Sequence, residues 1–232
     1  MVHFTSTVAS VAHLCPHLQH PQHLARVARL LHGSTMIVDF WCEIASTYTY
    51  LAAERIGPMA RDRGVEVRWS PFLLGPIFAA MGWPTSPFEL YADKGRYMWH
   101  DVARSAAAAG LAFKRPSVFP RSSVLAARVA LVAVERGFGA AFVRAALRAN
   151  FVEDREISEP SVIDELLDEL GKDGPALREE ATSSEHRPRL RAASERAKTL
   201  GIFGAPTFLV GDEMFWGNDR LEQALEWAST GC

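Results

Sequence analysis

The chain has 232 residues, of which 48% are hydrophobic and 22% charged, and its formal net charge at pH 7 is -2. A chain of this size can bury the core of one or two globular domains, and its weak charge argues against nucleic acid as the main partner. No stretch approaches the roughly 20 apolar residues of a membrane helix, so no membrane partner is expected.

The three cysteines, Cys15, Cys42 and Cys232, are far apart and form no CxxC pair. An odd number of scattered cysteines favours neither a disulfide framework nor a metal site, and a cytoplasmic, reducing location is expected. Cys42 lies inside an apolar run, so we expect a buried structural cysteine rather than a redox centre.

Residues 1–35 differ from the rest of the chain because they hold six of its eight histidines and no acidic residue. A transit peptide is one interpretation of such an acid-poor segment, and histidine-rich metal binding is another. The histidine spacing is irregular and closes no ligand set. We therefore interpret these residues as a disordered extension that precedes a folded body beginning at Met36.

A βαβ unit is predicted directly after this extension. The run MIVDFWC (36–42) is apolar and β-rich, as in a buried strand. Residues 48–60 place apolar side chains at helical intervals, and Gly57-Pro58 predicts the end of that helix there or a little beyond. The alternating segment 65–69 predicts a second strand that runs into Pro71.

The segment 75–196 carries almost only helical signals. Helices are predicted over residues 91–109, 123–135, 140–151, 161–170 and 187–200, and several end at a glycine. No strand pattern interrupts them. The chain thus places a long helical segment between the βαβ unit and the strands that follow.

The segment LGIFGAPTFLVGDEMFWGNDRL (200–221) predicts two strands and the start of a helix. Gly211-Asp212 lies between two β-rich runs, which is typical of a hairpin. Asn218 or Asp219 is expected to cap the following helix. Pro206 cannot donate to a sheet ladder, so we expect an edge position or a special turn there, with a cis bond as one form of it.

These elements predict an α/β protein with a thioredoxin-like fold, in which βαβ and ββα halves are interrupted by an all-helical insertion. The expected boundaries are 36–74 for the first half, 75–186 for the insertion and 187–232 for the second half. Because a fold does not specify chemistry, function has to be argued from individual residues.

Ser46 is the first candidate, since it lies where a strand gives way to a helix. Backbone N–H groups at a helix start favour an anion, and a thiolate held there would be stabilised. The alternative is that Ser46 only caps the helix. No GxSxG motif surrounds it and no His-Asp pattern marks it as a nucleophile.

Two ordered motifs resemble one enzyme family. MIVDFWCEIASTYTYLA (36–52) is similar to the opening of the 2-hydroxychromene-2-carboxylate isomerases, relatives of kappa-class glutathione transferases within the DsbA-like thioredoxin folds. FGAPTFLVGDEMFWGNDRL (203–221) is similar to that family's glutathione-site motif. RWSPFLLG (68–75), KGRY (94–97), Asp101, Arg104 and Phe119-Pro120 follow in the family's order, so the resemblance covers residues 36–229.

The resemblance implies glutathione as cofactor and Ser46 as the catalytic residue that contacts its sulfur. Ala205, before a cis Pro206, would pair its backbone with the cysteinyl part of glutathione. Asn218 and Asp219 would hold the γ-glutamyl end, and Arg220 would add charge nearby. The implied reaction is reversible thiolate addition to a small aromatic 2-oxo acid, with ring opening, bond rotation and thiol elimination.

The substrate side is less closely matched to the family. Lys94 is the candidate partner of the substrate carboxylate, with Tyr97 as a hydrogen-bond donor and Arg104 as a weaker candidate; ordinary helix-surface ion pairing is the alternative for all three. Trp83 stands where the family often has an asparagine, and it either lines an aromatic pocket or packs the insertion. Thr47 replaces a family proline, and Glu43 replaces an aspartate.

The resemblance implies a homodimer and a glutathione-dependent isomerase of aromatic catabolism. Two alternatives stay open. One is a kappa-like glutathione transferase, and the other is a redox or non-catalytic thioredoxin-like protein that binds a peptide in the same groove.

Overall fold

The computed structural model describes residues 36–230. Four strands form one sheet: β1 (Met36–Cys42), β2 (Val65–Pro71), β3 (Thr207–Val210) and β4 (Glu213–Trp216). Their order across the sheet is β2-β1-β3-β4. β1 pairs in parallel with β2 and antiparallel with β3, and β3 pairs antiparallel with β4. The hairpin and the βαβ unit predicted from the sequence are therefore both confirmed.

Ten α-helices accompany the sheet within residues 36–230. They are α1 (Thr47–Asp62), α2 (Gly75–Ala80), α3 (Pro87–Leu90), α4 (Ala92–Ala108), α5 (Val124–Glu135), α6 (Gly139–Phe151), α7 (Pro160–Glu169), α8 (Gly174–Thr182), α9 (Arg187–Thr199) and α10 (Leu221–Thr230). A 3₁₀ turn, Asn218–Arg220, precedes α10. Seven helices, α2 to α8, lie between β2 and α9 in the chain, as a helical insertion requires. The exact domain boundaries stay a prediction.

The two faces of the sheet are covered by different apolar clusters. The larger cluster joins Phe40 and Phe208 of the sheet to α1, α10 and the inserted helices α4 to α8, with side chains such as Phe142 and Leu147 fully buried. The smaller cluster packs Trp41 and other side chains of the sheet against α2 and α9. The shared larger core holds the inserted helices against the N-terminal βαβ unit.

Helix α1 spans Thr47–Asp62, which confirms the helix predicted over residues 48–60 with an end a little beyond Gly57-Pro58. It continues through Pro58 because burial of Ile56 and Ala60 outweighs the hydrogen bond that proline cannot donate. Of the two alternatives for Pro206, an edge position is excluded, since the strand that follows it, β3, lies between β1 and β4, and the special turn is the one found. The short helices α2, α3 and α8 had no separate sequence prediction, because each is too short for a clear apolar period.

The predictions about residues 1–35 and about Cys15 and Cys232 lie outside the described residues. Within residues 36–230, no helix is both long and apolar enough to cross a membrane.

Candidate active site

Ser46 lies in the turn between β1 and α1 and makes two side-chain hydrogen bonds. Its Oγ accepts from the backbone N–H of Thr49 at 3.3 Å, so Ser46 is the N-cap of α1. The same hydroxyl donates to the carbonyl oxygen of Ala205 at 3.0 Å, 159 positions away in the chain. The capping role and the placement beside the Ala205-Pro206 loop therefore coexist in one half-buried side chain.

Glu43 holds the backbone on which Ser46 sits. Its carboxylate accepts from the N–H of Ala45 at 3.2 Å, from the N–H of Leu74 at 2.8 Å and from the hydroxyl of Ser123. Its backbone carbonyl also accepts from the N–H of Ser46 at 3.0 Å. Burial raises the pKa of Glu43, although these hydrogen bonds oppose the rise. One buried carboxylate thus joins the Ser46 turn to the start of α2 and to the start of α5.

A second polar cluster supports the same turn from the helical side. The Asn150 amide donates to the carbonyl of Ile44 at 3.4 Å and accepts from the buried Arg121 at 3.0 Å. Arg121 also bonds to Asp154 at 2.5 Å. The backbone N–H of Ser117, together with Arg121, holds the pKa of Asp154 well below its usual range. These bonds link the loop before α5 to the end of α6. The bond from Asn150 to Ile44 then connects both to the Ser46 turn.

The Ala205-Pro206 peptide bond is cis, in agreement with the special turn expected at this proline. The turn is fixed on both sides: Thr207 donates to the carbonyl of Gly204 at 2.9 Å, and the N–H of Gly217 donates to the carbonyl of Pro206 at 2.9 Å. A Cβ at Gly204 would collide with the indole of Trp216. The Ala205 backbone is therefore presented at the surface beside Ser46 by a rigid support.

An exposed aromatic pair borders this turn. The rings of Phe203 and Trp216 meet edge to face with centroids 4.8 Å apart, and the two residues remain 43% and 52% exposed. The Trp216 indole packs against Gly204, yet half of its surface stays open to solvent.

Asn218 and Asp219 lie in the 3₁₀ turn rather than capping α10, which corrects the predicted N-cap. Asn218 Oδ1 instead accepts from Arg55 on α1 at 3.2 Å, so this side chain is engaged by a neighbouring helix rather than by its own. Arg55 also contacts Glu222. The Asp219 side chain is 73% exposed and lies 3.4 Å from Arg220. The turn therefore presents an amide, a carboxylate and a guanidinium next to one another.

Tyr48 connects the start of α1 to helix α4. Its hydroxyl donates to Asp101 at 2.9 Å, and Asp101 also receives a long 3.5 Å bond from Tyr97 and a 3.3 Å contact from Arg104. Burial, and then the Asp101 carboxylate, raise the pKa of Tyr48, with a smaller contribution from Asp219. Tyr97 and Arg104 are thereby linked to Tyr48, which lies two positions after Ser46.

The remaining two substrate candidates are not brought to Ser46 by any described contact. Lys94 is exposed and its ammonium lies over the ring of Tyr91, 5.0 Å from the centroid. Trp83 is half-buried and packs against Phe78, with ring centroids 5.7 Å apart. Their assigned roles in substrate binding stay predictions.

Cys42 is fully buried, and burial raises the pKa of its thiol, which makes it an inert structural residue as expected. Within residues 36–230, no cluster of three or more His, Cys, Asp or Glu side chains is suited to a metal ion. Among these residues, the Ser46 side chain hydrogen-bonds to the backbone of Thr49 and Ala205 and to no histidine or carboxylate.

The sequence did not identify three supporting residues. Glu43 was noted only as a replacement for aspartate, and Tyr48 and Arg55 lie within the helix predicted over residues 48–60 without a role of their own. A carboxylate directly after an apolar strand was a usable signal for Glu43, because such a position is usually buried and a buried charge needs partners. Nothing local pointed to Arg55, whose partner lies more than a hundred residues away.

Comparison with known proteins gives a consistent result. The DSBA-like thioredoxin domain family matches residues 37–226. A 2-hydroxychromene-2-carboxylate isomerase of Pseudomonas putida is 31% identical over 189 residues, which cover 80% of this chain and 91% of that protein. One of Sphingobium xenophagum is 29% identical over 188 residues, covering 81% and 95%.

A solved structure of a 2-hydroxychromene-2-carboxylate isomerase superimposes with a TM-score of 0.74 at 28% identity, covering 81% of this chain and 92% of that one. The similarity therefore runs through both halves of the sheet and through the helices between them.

Proposed function

Because this chain belongs to the 2-hydroxychromene-2-carboxylate isomerase family, within the DsbA-like thioredoxin proteins, we propose that it is a glutathione-dependent isomerase of aromatic catabolism. The proposed reaction interconverts 2-hydroxychromene-2-carboxylate and trans-o-hydroxybenzylidenepyruvate. The observation that carries the proposal is the Ser46 hydroxyl at a helix N-terminus, 3.0 Å from the carbonyl of the residue before a cis proline.

The residues present fit glutathione group by group. A peptide-like molecule pairs with an extended backbone segment, and Ala205, whose carbonyl accepts from Ser46, is the candidate segment beside the cis proline. Its ammonium needs a carboxylate partner, and the exposed carboxylate of Asp219 can supply one. Its carboxylates need N–H donors or cations. The Asn218 amide, whose oxygen is already held by Arg55, keeps its NH₂ directed elsewhere, and Arg220 lies beside it.

Glutathione, when bound, supplies the sulfur nucleophile for reversible addition to a conjugated 2-oxo acid. In this proposal, the Ser46 hydroxyl donates its single proton in a hydrogen bond to that sulfur. Because Thr49 N–H occupies a lone pair of Oγ, the proton is directed away from α1, toward Ala205 or toward an anion bound beside the hydroxyl. A hydroxyl and free helix N–H groups together lower a thiol pKa.

The substrate is held by residues on α4 in this proposal. Tyr97 and Arg104 are connected through Asp101 to Tyr48, so they form a polar wall next to the Ser46 turn. We assign the substrate carboxylate to the cations Lys94 and Arg104 and a hydrogen bond to Tyr97. The exposed rings of Phe203 and Trp216 lie beside the Ala205-Pro206 turn and suit a planar aromatic substrate.

Replacement of Ser46 tests the proposal. Ser46→Ala should lower kcat for the isomerisation by about a hundredfold, since one charge-stabilising donor is lost, while glutathione affinity falls only a few-fold. Ser46→Thr keeps the hydroxyl and should retain most activity. The assay follows the absorbance of hydroxychromene carboxylate with and without glutathione.

The matched control is Asp173→Ala, which removes the N-cap bond to Ala176 at 3.0 Å in α8. It should cost similar stability, about 1 kcal/mol, with no loss of kcat. A Ser46→Ala rate equal to wild type would remove Ser46 from the mechanism. Absence of thermal stabilisation by millimolar glutathione would refute glutathione binding and leave the redox or peptide-binding alternative.

We also propose that the protein acts as a cytoplasmic homodimer, by likeness to the family. Light scattering coupled to size-exclusion chromatography measures the assembly state, and cell fractionation measures the location. Turnover of an electrophilic transferase substrate, without isomerisation of hydroxychromene carboxylate, would instead indicate a kappa-like glutathione transferase.

A further inference from the structure

A separate cavity lies where α2, α5 and α9 meet. Its volume is about 160 Å³. One wall is apolar and consists of Leu73, Pro76, Val124 and Leu190. A dry cavity of about 150 Å³ is known to hold a benzene ring, so this one has room for a single six-membered ring.

Three arginines, Arg128, Arg187 and Arg191, line the same cavity against one acidic residue, Glu195. Within residues 36–230, neither Arg128 nor Arg191 takes part in an ion pair, and the buried Nε of Arg128 has no hydrogen-bond acceptor. Arg187 uses its Nε on the carbonyl of Thr182 at 2.7 Å, which leaves its terminal nitrogens available. The cavity therefore has an excess of guanidinium groups that lack anionic partners.

This combination of groups selects a class of ligand. Guanidinium groups bind carboxylate and phosphate through paired N–H donors. An inorganic phosphate would leave the apolar wall without a partner, and a neutral ring would leave the arginines without one. A ring that carries one carboxylate satisfies both parts of the cavity.

We propose that this cavity is a binding site for monocyclic aromatic carboxylates, distinct from the glutathione groove. None of its lining residues is among those assigned to glutathione or to the isomerase substrate. It does adjoin the support of the Ser46 turn, because Leu73 and Val124 are direct neighbours of Leu74 and Ser123, which bond to Glu43.

The test uses the full chain with benzoate as the probe, measured by calorimetry and by methyl NMR shifts. Benzoate should shift the methyl signals of Leu73, Val124 and Leu190. Arg128→Gln and Arg191→Gln should each weaken benzoate binding at least tenfold. Arg196→Gln, on the same helix α9 but outside the cavity, is the matched control and should leave the affinity unchanged.

Two further ligands and one competitor complete the design. Benzyl alcohol lacks the charge and phosphate lacks the ring, so each should bind at least tenfold more weakly than benzoate. Saturating glutathione should not displace benzoate. Thermal unfolding checks that each variant is folded. Because Arg191 is exposed, its substitution leaves the core intact.

Four outcomes would overturn the proposal. The first is no benzoate binding to the wild-type chain, and the second is wild-type affinity in both arginine variants. The third is displacement of benzoate by glutathione, which would place the ligand in the Ser46 groove. The fourth is phosphate binding as tight as benzoate binding, which would overturn the ligand class. None of these outcomes depends on whether the isomerase proposal holds.

Discussion

Glu43→Gln tests the buried carboxylate that holds the Ser46 turn. The two oxygens of Glu43 accept from two backbone N–H groups, at 3.2 Å from Ala45 and 2.8 Å from Leu74, and from Ser123. Glutamine keeps one oxygen and presents an NH₂ group in place of the other, so one of the two partly buried N–H groups must lose its acceptor. An unsatisfied buried donor costs about 1–3 kcal/mol.

The difference in unfolding free energy between wild type and Glu43→Gln depends on pH. The direction of that dependence follows from the raised pKa of Glu43. A carboxyl whose pKa is higher in the folded than in the unfolded state stabilises the fold below its unfolded pKa. That stability is lost as pH rises through the folded pKa. Wild type should therefore exceed Glu43→Gln by about 1–3 kcal/mol near pH 4, and the difference should shrink toward neutral pH.

Urea unfolding at a series of pH values measures this difference directly, and melting temperatures offer a second readout at roughly 2–4 °C per kcal/mol for a chain of this size. Glu66→Gln, at an exposed position of β2, is the control and should follow wild type at every pH. A wild-type advantage that is constant or grows from pH 4 to pH 8 would contradict the reasoning, as would a variant as stable as wild type throughout.

Three further predictions concern other parts of the site. Gly204→Ala should displace the Trp216 indole and destabilise the protein by about 1–3 kcal/mol, seen as a lower melting temperature and altered tryptophan fluorescence; an unchanged spectrum would mean that the indole does not cover Gly204. Asp219→Asn should weaken glutathione binding two- to fivefold at low salt, since an exposed ion pair is worth at most about 1 kcal/mol, and calorimetry should find the difference reduced at high salt. The Ser117 N–H lowers the pKa of Asp154, so its stabilising contribution is present above its unfolded pKa and is lost as pH falls. The unfolding free energy of Asp154→Asn should therefore fall less than that of wild type as pH is lowered. A fall as steep as that of wild type would count against this prediction.

Much of the fold could be predicted from local patterns. The apolar run 36–42, the alternating segment 65–69 and the Gly211-Asp212 hairpin all appear as β1, β2 and the β3–β4 pair. These signals depend on side-chain period and turn chemistry, which neighbouring residues determine between them. The N-cap predicted at Asn218 or Asp219 was wrong because a contact with a distant element, from Arg55 of α1 to Asn218, overrode the local preference.

The candidate site was predictable only in part. Ser46 and Ala205-Pro206 could be selected by local geometry and by family resemblance, and the structure brings them together. The sequence could not determine that Arg55 holds Asn218 or that Ser123 and Leu74 both bond to Glu43. Those contacts join residues from separate elements, so they exist only after the sheet order and the packing of the inserted helices are set.

The sequence alone therefore determined the chain order of the four strands and of the longer helices, the buried Cys42 and the two segments that carry the candidate site. Tertiary structure decided that one hydroxyl caps α1 and also reaches Ala205, and that three arginines from α5 and α9 face one cavity. The physical reason is range: periodicity and capping act over a few residues, whereas hydrogen-bond partners and cavities depend on side chains that only the folded core brings within about 3–4 Å of each other.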